Sequence, residues 1–138
     1  MNKITYNDEE KHLTNSSLWL LVPTFFGLAK GNIGLSCLNI ASCFISKMFW
    51  NNPVYGWRRH LDIYYQTFLC GGLFALGNYS YVSTPYMIAG NLFFSNGLYF
   101  FYRSSSEYKK KNRFWYIYHS IFHASMATSC IFVHLTLP

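Results

Sequence analysis

His119 and His123 stand four residues apart in an uncharged, largely apolar stretch near the C-terminus. On a helix that spacing stacks both imidazoles on one face, so two nitrogens can be offered to a single metal ion. Asp62 stands at the start of another apolar stretch, and Ser46 near the end of a third. A carboxylate can serve as a further ligand or as a base, and a hydroxyl can orient a ligand by hydrogen bonding. Two histidines, an aspartate and a serine converging at one depth are the pattern expected of a zinc site with supporting hydrogen bonds. The spacing alone leaves a second reading open, in which the two rings are polar tips reaching water from an interface.

The elements that carry these residues are long and apolar. Only 12% of the 138 residues are charged, about half the share usual in a soluble domain. The charges cluster between apolar runs at 17–29, 32–49, 61–82, 86–102 and 114–135. This pattern predicts an all-α fold, a polytopic transmembrane bundle of five helices behind a polar cytosolic tail at 1–16. The first run is short for a span and contains Pro23, so it needs extension back to Leu13 with Lys30 reaching the interface. Pro85 can open the fourth helix, and residues 103–113 read as a charged loop.

Basic residues fix the expected orientation. With five spans, one side carries Lys3, Lys11, Lys47, Arg58, Arg59, Arg103, Lys109, Lys110, Lys111 and Arg113, and the other only Lys30. That asymmetry puts the N-terminus in the cytosol. It also accounts for the net charge of +6 as an orientation signal, with no call for nucleic acid as a partner. The third and fifth helices then run outward and the second inward. Asp62, the histidine pair, Ser42 and Ser46 therefore share one depth on the cytosolic side.

Other candidates fall away from this group. His60 is two residues before Asp62, on the opposite helix face, and reads with Arg58 and Arg59 as a headgroup-facing cluster. His134 lies roughly 16 Å along the axis from His123. Cys37, Cys43, Cys70 and Cys130 lie in apolar runs without a CxxC pair, as small filler rather than disulfides or metal ligands. Gly27 and Gly31 form a GxxxG that Lys30 interrupts. Asn78-Tyr79-Ser80 is a glycosylation sequon on the expected outer side, close to the membrane. The first sixteen residues do not read as a cleavable signal peptide.

At Ser46-Lys47-Met48-Phe49-Trp50, at Trp57-Arg58-Arg59-His60-Leu61-Asp62-Ile63 and at Tyr118-His119-Ser120-Ile121-Phe122-His123-Ala124, the chain resembles the CREST superfamily. That group includes alkaline ceramidases, progestin and adipoQ receptors, hemolysin III proteins and myomaker-like proteins. The resemblance covers about residues 36–68 and 114–136. It implies a cytosol-facing zinc site with His119 and His123 as ligands, Asp62 as ligand or base, and Ser46 in support. The family has seven helices where this chain has room for five, and its third zinc-binding histidine is replaced here by Trp50.

The expectation that follows is a multi-pass membrane protein acting as a zinc-dependent, ceramidase-like hydrolase of lipid amides or esters, with membrane lipids as partners. The alternative is a non-catalytic membrane protein with a degenerate metal site that binds lipid or protein partners. A channel has no support, because no span carries a row of charges to line a path.

Overall fold

The computed structural model describes residues 7–137; the first six residues of the expected polar tail, Lys3 among them, and Pro138 lie outside it. Every regular element among the described residues is helical. In chain order these are α1 (Asn7–Ser16), a 3₁₀ segment (Ser17–Leu21), α2 (Val22–Ala29), α3 (Ile33–Trp50), α4 (Trp57–Tyr79), α5 (Thr84–Lys109) and α6 (Trp115–Thr136).

The first three elements form one helical path. Ser16, Leu21 and Val22 all keep right-handed helical angles at the junctions. The path tightens into 3₁₀ geometry just before Pro23, which has no N–H to continue an α-helical ladder. α1 is not a free extension. Leu13 is fully buried, packed with Phe49, Trp50 and Trp115. α2 ends in a Schellman turn: Asn32 N–H donates to Gly27 C=O at 2.7 Å and Gly31 N–H to Leu28 C=O at 3.0 Å. Gly31 takes the left-handed position, φ 76°, where glycine carries no steric penalty.

α5 runs to Lys109, past the end expected at residue 102 and through most of the expected charged loop. Arg103 and Glu107, one turn apart, pair at 3.6 Å and support this last stretch. The helix then closes with the same Schellman pattern. Asn112 N–H donates to Glu107 C=O and Lys111 N–H to Tyr108 C=O, both at 3.0 Å, with Lys111 at φ 57°. The Glu107 carboxylate accepts from Asn112 Nδ2 at 2.7 Å and from Lys110 Nζ at 3.1 Å. These bonds, the Asn112 one foremost, hold its pKa below the ordinary glutamate value.

α6 is the centre of the fold and contacts α1, the 3₁₀ segment, α2, α4 and α5. Its pairing with α5 is close because small residues let the backbones approach. A Cβ on Gly97 would meet Met126 Sδ at 2.6 Å, and one on Gly90 would meet Phe132 Cβ at 3.3 Å. Ser129 Oγ–H donates to Gly90 C=O at 2.9 Å, and Asn96 Nδ2 to Ser125 Oγ at 2.9 Å. α4 and α5 touch at the end remote from Asp62. There Phe74 stacks on Phe94 with ring centres 4.6 Å apart, and Asn78 and Asn91 exchange amide hydrogen bonds at 2.7 and 3.0 Å. The Asn78 side chain of the sequon is therefore already engaged.

One described helix, α3, is both long and apolar enough to cross a membrane by length and composition, with mean hydropathy 1.4 over 18 residues. The sequence pattern led us to expect five spans. α4, α5 and α6 have the length, at 23, 26 and 22 residues. His, Asn, Gln, Tyr and Arg side chains within them lower their hydropathy.

Candidate functional site

Asp62, His119 and His123 come together at one end of the bundle, on the wall of a single cavity of about 680 Å³ between α3, α4, α5 and α6. His119 and His123 face each other edge-on, ring centres 4.8 Å apart, as the i, i+4 spacing requires. His123 is buried, and its Nδ1 lies 2.9 Å from Ser16 Oγ. The Ser16 hydroxyl also lies 3.0 Å from Leu13 C=O. With its hydrogen on that carbonyl, the hydroxyl accepts from His123 Nδ1–H and leaves the imidazole lone pair on Nε2. In that tautomer Nε2 could ligate a metal, with Nδ1 oriented by the hydrogen bond. His119 Nδ1 lies 3.3 Å from Ser104 Oγ on α5.

Asp62 is buried on the first turns of α4. Its carboxylate accepts from Gln66 Nε2 at 3.3 Å, one helical turn on. Gln66 is held in turn by Ser42, whose Oγ–H donates to Gln66 Oε1 at 2.6 Å and whose C=O accepts from Gln66 Nε2 at 3.1 Å. Ser46 Oγ lies 3.3 Å from Ser17 Oγ. Hydroxyl, amide and carboxylate groups thus link the 3₁₀ segment, α3 and α4, and the buried carboxylate has the partner that burial demands.

Trp50 stands where the resemblance implies a third histidine. Its indole meets His119 edge-on at 4.9 Å and lies 6.2 Å from Trp115. The ring fills the space beside His119 without offering a lone pair. Its Nε1–H is buried and has no acceptor. Among the described residues, no third His, Cys, Asp or Glu stands close enough to the two histidines to complete a metal-binding group. Catalytic zinc sites use three protein ligands and keep one position open, so the side chains as arranged supply an incomplete set.

His60 is exposed and stacks on Tyr64 at 6.2 Å, away from the cavity. His134 is fully buried elsewhere, with Nε2 2.9 Å from Asn39 Nδ2. Three groups at the site escaped the sequence reading. Gln66 had a signal, because it follows Asp62 by four residues. Ser16 and Ser104 had none, since only the fold brings them to the histidines.

The chain matches no protein-family model, no curated protein and no solved structure.

Proposed function

We propose that this protein is a multi-pass membrane protein that binds a lipid in the cleft between α4 and α5. The observation that carries this reading is a cleft of about 680 Å³ with a polar end and apolar walls, in a bundle whose outside is apolar and whose inside is not. Among the described residues, sixteen polar or charged residues are buried against thirteen hydrophobic ones, while thirty-one large hydrophobic side chains are exposed. Phe44 and Phe68 are each 74% exposed. Water would penalise that arrangement, whereas a bilayer favours it, since lipid tails solvate the outer side chains and polar groups must find partners inside. The distribution of basic residues orients the bundle with its N-terminus and the histidine end in the cytosol.

The volume falls in the range of roughly 300–1,000 Å³ typical of sites for one organic ligand. Purified in detergent, the protein should retain about one lipid per chain in native mass spectrometry. Gly71 lines the cleft, with nothing within 4 Å of where its Cβ would stand. Gly71→Phe should fill the cleft and lower retention; retention unchanged in a folded Gly71→Phe protein would contradict the reading.

A second reading is favoured by one observation, the pairing of His119 and His123 4.8 Å apart with Ser16 Oγ against His123 Nδ1. Here the chain is a CREST-like hydrolase of lipid amides or esters, in which His119 and His123 would hold zinc only after a rearrangement that brings Asp62 to the pair. Zinc would supply a polarising charge and a water of lowered pKa. Stoichiometric zinc in the purified protein, lost in a His119→Ala/His123→Ala variant, would favour this reading over simple binding. Zinc absent from both would end it.

A further inference from the structure

The lipid-binding reading leaves open which lipid the cleft takes, and three features of its wall bear on that choice. Arg59 on α4 and Lys109 at the end of α5 both line the cleft. Neither is in an ion pair among the described residues. Arg59 is instead held over the Tyr55 ring, its Cζ 5.3 Å from the ring centre. The carboxylates nearby are already engaged: Glu107 by Arg103, Lys110 and Asn112, and Glu9 by Trp115 Nε1–H at 3.2 Å. The cleft thus has on its wall two cations from different helices that no described carboxylate neutralises. Farther in, beside His119, the Trp50 indole N–H is buried without an acceptor. An unpaired buried donor is costly, and an acceptor on a ligand would satisfy it. Much of the remaining wall is apolar, with Ile63, Phe94, Leu98 and Met126.

We infer that the ligand is a single-chain lipid with a phosphate headgroup. Its phosphate sits between Arg59 and Lys109, an ester or hydroxyl oxygen accepts from Trp50 Nε1–H, and its one acyl chain lies between α4 and α5. Two cations on the wall of one cleft suit the several oxygens of a phosphate, and the planar guanidinium can bind two of them at once. One chain, rather than two, fits the volume of the cleft. This inference rests on the lipid-binding reading and adds the headgroup and chain number to it.

The test compares three probes on the full-length protein in detergent micelles: oleoyl lysophosphatidic acid, monooleoylglycerol and glycerol 3-phosphate. The first should bind about tenfold or more tightly than the second, the scale of a charge-assisted hydrogen-bonded contact. Glycerol 3-phosphate, lacking a chain, should bind far more weakly than either lipid. Arg59→Gln/Lys109→Gln should erase the advantage of the phosphate while leaving monooleoylglycerol binding intact. Trp50→Phe should weaken both lipids by a similar factor, about fivefold for one lost hydrogen bond. Equal binding of the two lipids by the native protein would overturn the phosphate site and leave the lipid cleft standing. Failure of both lipids to bind a protein with native helical content would overturn the cleft as well.

Discussion

The indole of Trp50 stands edge-on to the imidazole of His119, ring centres 4.9 Å apart. The last residue of α3 therefore reaches the histidine pair of α6 although the two are far apart in sequence. A nitrogen ligand at position 50 would lie beside the pair, and Trp50→His should convert an incomplete ligand set into three imidazoles. The expected result is zinc content rising towards about one per chain, together with some loss of stability from the smaller ring. Metal analysis of the purified variant checks this. A folded Trp50→His protein with no more zinc than the native chain would mean that position 50 does not address the pair.

Gly27 of α2 has two neighbours that leave no room for a side chain. A Cβ there would collide with Ser36 Oγ and stand 2.6 Å from His134 Cε1. His134 is itself fixed by Asn39, so the ring cannot swing aside without breaking a buried hydrogen bond. Gly27→Ala should destabilise the protein by about 1–3 kcal/mol, the usual cost of overpacking, measured as a lower melting temperature in detergent. An unchanged melting temperature would show that α2 can shift away from α6.

Glu107 ties the turn between α5 and α6 through Asn112, Lys110 and Arg103. Its pKa is lowered in the fold from an ordinary value of 4.5, chiefly by the Asn112 hydrogen bond. A lowered carboxylate pKa favours the folded state above the unfolded value, and the gain disappears as pH falls through the folded value. Glu107→Gln should therefore melt below the native protein at neutral pH. The difference should shrink once the pH drops below about 4.5. Melting curves across that range test it, and a gap that stays constant into acid would place the effect in packing rather than charge.

Parts of this arrangement could be read from the chain and parts could not, for physical reasons. Polar groups in apolar runs stand out, and a four-residue spacing fixes a helix face. His119, His123 and Asp62 were therefore legible, as was their meeting on one side once charge asymmetry set the helix directions. Gln66 was missed, although its place four residues after Asp62 was a signal of the same kind. The packing of α1 was not, because ten mostly polar residues give no hint that Leu13 will be enclosed by Phe49, Trp50 and Trp115. The extent of α5 was missed because Arg103, Glu107 and the lysines look like a loop until their pairing and the closing turn are seen. Gly27 counted for little in the sequence because Lys30 interrupts its motif. Its close neighbours, Ser36 and His134, come from distant segments. Ser16 shows the limit most clearly, since it hydrogen-bonds a histidine 107 positions away.

The central claim is that the apolar outer faces of the bundle lie in lipid. The most direct measurement is labelling by a water-soluble maleimide in open membrane fragments, with the cysteines at positions 37, 43, 70 and 130 replaced by serine. Phe44→Cys and Phe68→Cys report on the outer faces of α3 and α4, and Arg113→Cys on the turn before α6. The account predicts rapid labelling of Arg113→Cys and none of Phe44→Cys or Phe68→Cys until detergent is added. Labelling of all three at similar rates would put those faces in water and contradict the account.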